Sequence, residues 1–462
     1  MTTRSPEFID TVIKAYDVRG VVGETLDADL VRDIGAAFSV LIKRDGETSI
    51  AVAHDMRESS PELAQAFSDG ARAQGVDVIF VGLSSTDELY YTAGALNTSG
   101  AMFTASHNPA KYNGIKLCRP GAKPVSRDTG LAEIALMVCS DLPEYDGEKG
   151  SYEERDMLQG YVDHLRGLVD LSGMRPMTVA VDAGNGMAGH TVPAAFERLP
   201  ITLKPLYFEL DGTFPNHEAN PLDPKNLVDL QKFTPAQKAD IGLAFDGDAD
   251  RLFVVDENGE PVSPSAICAL VATRYLKKFP GATIIHNLIT SKTVPELITE
   301  NGGHPVRSRV GHSFIKALMA KENAVFGGEH SAHYYFQEFF NADSGLLTAL
   351  HVLAALGESD QPLSELMADY SRYEASGEIN TRLAGRQELE DKTQAVCDAF
   401  ADRTASIDRL DGVTVQLAGT PAWFNLRASN TEPLLRLNVE APAKTEVDEI
   451  VEEVLAIVRN DE

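Results

Sequence analysis

Cysteine is scarce. Cys118, Cys139, Cys268 and Cys397 are the whole set in 462 residues, and no two form a CxxC pair. That argues against a disulfide framework or a thiolate zinc site and suits a reducing compartment. Basic residues are outnumbered, 41 Lys+Arg against 69 Asp+Glu, for a formal net charge of −28. A chain this acidic repels nucleic acid and anionic membrane surfaces, so neither is expected as a partner. No apolar run approaches the ~18 residues of a membrane span, and the start, MTTRSPEF, has no apolar signal core. A cytoplasmic protein is the expectation. No GxSxG elbow is present, which removes the α/β-hydrolase serine reading. What the chain does have is ordinary for a folded protein, 43% hydrophobic and 24% charged residues, so disorder and low complexity are out.

Length alone suggests three or four domains of ~100–200 residues. Short apolar runs alternate with helical periodicity, which favours α/β architecture. Strand-like runs are SIAVA (49–53), VDVIFVGL (76–83), GAMFTA (100–105), MTVAVDA (177–183), ADIGLAF (239–245), ATIIH (282–286) and NAVFGG (323–328). Leu30, Ile34, Phe38 and Leu41 recur at helical spacing. Near the end, Trp423–Leu426 and Leu435–Val439 read as strands around a polar loop. A terminal helix follows, with Thr445 placed to cap it and Glu446, Asp448, Glu449, Glu452 and Glu453 on a solvated face. The pattern places domains at 1–150, 151–260, 261–375 and 376–462. Three strand-like runs each end in a short polar loop: TASHNP (104–109), DGDADR (246–251) and GEHSAH (328–333). Ligands collect beyond the carboxyl ends of strands in open α/β sheets.

In DGDADR, Asp246, Asp248 and Asp250 alternate, so a curved loop can converge three carboxylates on one point. Their mutual repulsion calls for a cation, and hard oxygen ligands suit Mg²⁺. An EF-hand would also place Asp at positions 1, 3 and 5 and Glu257 at position 12. It fails at position 6, where Arg251 replaces the turn glycine. A solvated acidic turn is the plainer alternative.

In TASHNP, Ser106 and His107 are sequence neighbours, poor geometry for a hydrolase pair. A serine on a constrained loop can instead carry a phosphate, whose oxygens can complete a metal shell. By itself the hexamer reads as a capped turn. RASNTEP (427–433) offers Arg427, Ser429, Asn430 and Thr431, a forked guanidinium with hydroxyls and an amide that suits a phosphate ester, or a plain hairpin loop. Glu329, Ser331 and His333 alternate, so an extended segment would turn all three one way, toward sugar hydroxyls, or leave them as a polar loop. Gly184–Gly189 is a GxGxxG after the strand MTVAVDA, with Glu209 and Asp211 downstream. Asp182 and Asn185 are unusual for a dinucleotide site, so a tight strand–turn–helix is the preferred reading over a nicotinamide-dependent dehydrogenase.

Taken together these loops resemble the α-D-phosphohexomutase superfamily, and more narrowly its phosphomannomutase/phosphoglucomutase branch. The order is the family's own: AYDVRG (15–20), TASHNP, NGIK (113–116), DGDADR, VGHSFIK (310–316), GEHSAH and RASNTEP. The resemblance implies four domains around a central cleft, three similar α/β domains with mixed sheets plus a smaller C-terminal α+β domain. It also implies reversible transfer of phosphate between the 1 and 6 positions of a hexose, with one Mg²⁺, through a hexose 1,6-bisphosphate that also serves as activator. By resemblance Ser106 is the phosphorylated serine, and it joins Asp246, Asp248 and Asp250 at the metal. Glu329, Ser331 and His333 recognise the sugar, and Arg427, Ser429, Asn430 and Thr431 hold the non-reacting phosphate. Tyr16 and His312 match secondary phosphate contacts, and Arg19, His107 and Lys116 match groups that assist proton transfer; Arg251 joins them as catalytic. The plainer readings are a core Tyr16, an Arg19–Asp17 ion pair and His312 as a helix cap.

The sugar loop departs from the common GExSGH in having Ala332. Phosphoglucosamine mutases usually carry Gln where His330 stands, so the mannose/glucose branch is expected. Phosphoglucosamine mutase and a sugar-phosphate phosphatase are the alternatives on the same site. The expected partners are small hexose phosphates, with the chain a monomer or weak homodimer. Charge is distributed to match: residues 104–116 hold Lys111 and Lys116 and no acid, while 442–462 hold seven acids against Lys444 and Arg459.

Overall fold

The computed structural model describes residues 4–140, 142–429 and 434–459. The chain divides into two compact units, Met1–Val262 with Ser331–Leu366, and Ser263–His330 with Met367–Glu462. Among the described residues no helix is long and apolar enough to cross a membrane.

The first unit contains two mixed sheets. In the first, Ser49–His54 pairs in parallel with Asp77–Leu83 and with Ser99–Phe103. Tyr112–Arg119 then runs antiparallel to Ser99–Phe103, and Val18–Val21 antiparallel to Tyr112–Arg119. Central strands of this kind are covered on both faces, which is why their sequences are apolar throughout rather than alternating. Ile50, Val52 and Phe103 face a core that includes Leu30, Ile34, Phe38 and Leu41, the helical stripe expected from sequence, here on helix Ala28–Arg44. Ala51, Ala53 and Met102 face the other way, against Leu89 of helix Thr86–Ala95.

The second sheet repeats this order. Met177–Asp182 pairs in parallel with Ile201–Leu206 and with Ile241–Phe245, and Leu252–Val255 returns antiparallel to the last. Ser106 therefore sits in the loop between Ser99–Phe103 and Tyr112–Arg119, and the aspartates in the equivalent loop between Ile241–Phe245 and Leu252–Val255. The Gly184–Gly189 turn joins Met177–Asp182 to helix Ala188–Phe196. A Cβ on Gly186 would lie 2.7 Å from the Gly247 carbonyl oxygen, and one on Gly189 2.3 Å from that of Phe208. Close backbone packing explains both glycines.

In the second unit, Thr283–Asn287 pairs in parallel with His304–Ser308 and with Phe326–Gly328. The last sheet is antiparallel, with Trp423–Ala428 between Val413–Leu417 and Leu434–Ala441. Its apolar face packs against helices Arg386–Ala399 and Lys444–Val458. One local expectation fails here. Ala443, not Thr445, precedes the terminal helix, and Thr445 lies inside its first turn. The strand ending at Ala441 leads directly into that turn, so the helix starts without a side-chain cap.

Candidate active site

Ser106 is held by its own loop before any neighbour is considered. The buried strand Ser99–Phe103 ends at Thr104, whose Oγ1 accepts the Ser106 N–H at 2.9 Å. Ser106 itself has φ +50°, a left-handed conformation that disfavours a side chain and must be held by its surroundings. Its Oγ donates to Asp246 Oδ2 at 2.9 Å and lies 3.3 Å from Arg251 Nη2, a donor, and from His107 Nδ1. Arg251 also donates from Nε to Asp246 Oδ2 at 2.9 Å and from Nη2 to His107 Nδ1 at 2.5 Å. The Arg251 guanidinium beside it, with burial and Arg19, holds the His107 imidazole well below its usual range, so the ring is neutral.

The three aspartates are buried, and one oxygen from each lies within 4.8 Å of the others. Ala249 at φ +62° gives the loop its curl. Lys116 Nζ reaches Asp248 Oδ2 at 2.6 Å and Asp250 Oδ2 at 2.7 Å. Thr86 adds its hydroxyl to Asp248 Oδ2 at 2.5 Å and its N–H to the Asp248 carbonyl at 3.1 Å. Burial opposes ionisation of Asp248, but Lys116 and Thr86 outweigh it and hold this carboxyl below the usual range. Burial wins at Asp246, pushing it up to about 8 against the pull of Arg251.

The remaining oxygens, Oδ1 of Asp248 and of Asp250, are buried without a hydrogen-bond partner. Orphaned carboxylate oxygens in an all-oxygen cluster fit a hard divalent cation such as Mg²⁺. They do not fit an EF-hand, because Glu257 is spent elsewhere, accepting from the Ser364 hydroxyl at 2.5 Å and from its N–H at 3.1 Å.

Other expected residues gather on the same unit. Arg19 pairs with Asp17, as its plainer reading holds, and also donates to the Ala105 carbonyl at 3.1 Å and to Asn108 Oδ1 at 2.5 Å. Tyr16 is half-buried in the bend before Val18–Val21. Ser331 Oγ and His333 Nδ1 are 3.0 Å apart, and His333 Nε2 lies 3.9 Å from Asp250 Oδ1. An isolated β-bridge joins Arg251 to His333.

The other expected residues belong to the second unit. Glu329 is buried, and its Oε1 accepts from the Gly311 N–H at 3.1 Å and from Asn287 at 3.3 Å. His312 is the first residue of helix His312–Glu322, while Gly311 takes the cap position, so His312 does not cap it. Arg427 is buried at the end of Trp423–Ala428, with Nη2 3.6 Å from Glu378. Arg436 stands opposite it in the ladder and reaches the same Glu378 at 3.5 Å. Nε of both arginines is buried without a hydrogen bond. The Ser429 N–H donates to the Leu434 carbonyl, closing the hairpin, and Asn430 and Thr431 lie outside the described residues.

Four domains of one family match along the chain. They are phosphoglucomutase/phosphomannomutase α/β/α domains I, II and III at residues 10–138, 159–259 and 263–373, and its C-terminal domain at 378–457. A phosphomannomutase of Escherichia coli is 40% identical over 461 residues, covering 97% of this chain and 99% of that protein. The chain belongs to the phosphoglucomutase/phosphomannomutase family. It is an isomerase, of the kind that transfers a phosphoryl group within its substrate. A protein of Xanthomonas campestris pv. campestris named phosphohexose mutases is 40% identical over 433 residues, 92% of this chain and 94% of its own length. A solved phosphoglucomutase/phosphomannomutase family protein from Burkholderia thailandensis superposes with a TM-score of 0.88 at 33% identity, over 97% of this chain and 98% of that one.

Sequence reasoning missed several residues around this candidate site. Thr86 lies far from every recognised loop, and nothing local marks it. Glu378 and Asn287 are equally silent. Arg436 had a signal: Leu435, Leu437 and Val439 alternate, which puts Arg436 on the opposite face beside Arg427.

Proposed function

We propose that this enzyme interconverts hexose 1-phosphate and hexose 6-phosphate, with mannose and glucose as the sugars. The route is a phosphorylated Ser106 and a hexose 1,6-bisphosphate intermediate, which also serves as activator. The observation that carries this reading is the placement of Ser106 Oγ, 2.9 Å from Asp246 in the three-aspartate cluster and within reach of Arg251. A serine so placed can carry a phosphate beside a bound cation. The names of the relatives support the mannose assignment. The division into domains at 1–150, 151–260, 261–375 and 376–462 belongs to the same proposal.

Asp246, Asp248 and Asp250, with an oxygen of phosphorylated Ser106, would hold Mg²⁺, which when bound supplies Lewis-acid stabilisation of phosphoryl charge. In the first half-reaction the P–O bond to Ser106 breaks as one forms to a sugar hydroxyl; in the second the roles reverse at the other end of the sugar. Arg251 and Lys116 meet the charge that develops on the transferring oxygens. Arg19 and Lys116, as fixed cations, and the neutral His107 ring assist removal of the proton from the attacking hydroxyl. Glu329, Ser331 and His333 hold sugar hydroxyls. Arg427, Ser429, Asn430 and Thr431 hold the non-reacting phosphate, with Tyr16 and His312 as further phosphate contacts.

The test is a rate comparison of mannose 1-phosphate, glucose 1-phosphate and glucosamine 1-phosphate, with glucose 1,6-bisphosphate and Mg²⁺ present. Formation of the 6-phosphates of mannose and glucose is expected, together with a peptide about 80 Da heavier at Ser106. Release of free phosphate without a 6-phosphate product would instead make the chain a phosphatase. A preference for the glucosamine ester would move it to the amino-sugar branch.

A further inference from the structure

We propose that Arg57 is a positioning residue for phosphoryl transfer, the single group that shapes the Ser106 loop. The inference rests on the phosphoserine reading above. Between Phe103 and Tyr112 the chain leaves the sheet, and its carbonyls lose their ladder partners. Four carbonyls between Ser106 and Tyr112 converge on one guanidinium. Arg57 Nη2 donates to the Ser106 carbonyl at 2.9 Å and to that of Asn108 at 2.7 Å; Nη1 donates to those of Pro109 and Tyr112, both at 3.0 Å. The third nitrogen, Nε, lies 3.2 Å from Asp55 Oδ2 in an ion pair. All four Nη donor positions of the planar fork are thus used on one loop, an arrangement only arginine can supply.

Arg57 has no freedom to do otherwise. It is 1% exposed, and Asp55 Oδ1 accepts its N–H at 3.0 Å and the Ser60 hydroxyl at 2.6 Å. A Cβ on Gly212 would lie 2.6 Å from Arg57 Cα, and the Phe214 ring covers the guanidinium at 5.1 Å. The Ser106 carbonyl also packs closely against the aspartate loop, where a Cβ on Gly247 would lie 2.5 Å from it. Arg57 and Gly247 therefore grip the peptide that gives Ser106 its left-handed backbone, and with it the direction of Oγ. Arg57 touches none of the groups assigned to sugar or distal phosphate, so its loss should affect transfer rather than binding.

The experiment is steady-state kinetics of the full-length Arg57→Lys enzyme with mannose 1-phosphate, saturating Mg²⁺ and glucose 1,6-bisphosphate, beside Ser106→Ala. A lysine offers three donors from one point and cannot span four carbonyls. A kcat lower by about 100-fold is expected, the size of effect a displacement near 1 Å produces, with KM within about threefold of the parent. The same loss is expected in the single-turnover rate at which glucose 1,6-bisphosphate phosphorylates Ser106. A folded Arg57→Lys with parental kcat, or a loss appearing in KM alone, overturns the proposal. Should circular dichroism show Arg57→Lys unfolded, Asp55→Asn decides. It keeps the guanidinium but frees its anchor, so kcat falls about tenfold at constant KM, and an unchanged kcat overturns the proposal. Ser106→Ala separates the two failures. If it keeps parental activity, the phosphoserine reading falls and takes this inference with it; if it is inactive while Arg57→Lys is normal, only the inference falls.

Discussion

The Ser106 region and the Arg427 region both bury charge, and the atoms left unpaired on the three aspartates of the first and the two arginines of the second are of opposite kinds. Around Ser106 the cations are spent: Lys116 is within 2.7 Å of two aspartates and Arg251 within 2.7 Å of a third. Within the aspartate cluster two acceptors remain unpaired, Oδ1 of Asp248 and of Asp250. Around Arg427 the acid is shared thinly, with two arginines 3.5 and 3.6 Å from one Glu378, and what remains unpaired is a pair of donors, Nε of Arg427 and of Arg436. A buried polar group left without a partner costs about 1–3 kcal/mol. Unpaired acceptors match a cation, and unpaired donors match an anion. On the proposed function the first region would serve chemistry on a metal-bound phosphoryl group, and the second would grip a phosphate.

The sharpest break in this comparison comes from Ser106. Ser106→Ala removes the group that the first region exists to position, and kcat should fall by about 10⁴-fold or more, while KM in any residual activity changes little. Asp248→Asn follows. It removes one charge from the cluster and replaces an acceptor with a donor facing Lys116. The Mg²⁺ concentration for half-maximal rate should rise about 100-fold, with KM for hexose phosphate nearly constant. A magnesium titration checks this; an unchanged requirement would detach the aspartates from the metal.

These two outcomes rest on residues that were legible without coordinates, and the reason is local. Asp246, Asp248 and Asp250 are spaced by two in one short loop, and Ser106 stands beside His107 and Asn108, so the chemistry is written within a few residues. The repeated strand order was legible only as three polar loops after apolar runs, because pairing between strands depends on partners tens of residues away, as when Val18 meets Ile115. Arg57 and Thr86 show the limit. Arg57 meets its acceptors 49 to 55 residues on, and Thr86 meets Asp248 162 residues on. Neither has a pattern around it that distinguishes it from a surface arginine or a helix-starting threonine. The terminal helix shows the opposite error: Thr445 looked like a cap by type, but the strand ending at Ala441 decides where the turn begins.

A third outcome tests the other side of the comparison. Arg427→Ala should raise KM for mannose 1-phosphate about 30-fold, roughly 2 kcal/mol, since it deletes a charge-assisted donor and leaves Arg436 with Glu378 to itself. The Mg²⁺ requirement should not move. Crossed results, with Arg427→Ala shifting the metal dependence or Asp248→Asn shifting KM, would merge the two regions into one and remove the distinction.

The smallest effect concerns what the first region costs to build. Thr86, which holds Asp248, is followed by Asp87 and Glu88, both buried. Asp87 accepts from the hydroxyls of Ser85, Tyr161 and Ser344, yet burial still pushes it up to about 6. Burial pushes Glu88 further, to about 8, with Asp87 and Asp156 adding repulsion. Its folded state keeps a proton that the unfolded chain gives up near the ordinary 4.5. Unfolding therefore releases a proton between those values, and stability falls as pH rises through that window, with the loss complete above about 8. Glu88→Gln cannot ionise, so it should melt like the parent near pH 4.5 and increasingly above it toward pH 8.5. The gain at high pH should appear as a melting temperature higher by a few degrees. Paired melting curves across that range measure it, and the difference between the two proteins cancels every other titrating group. A difference that stays flat with pH would mean that Glu88 is ionised in the folded state and that the Asp248 anchor is built without a stored proton.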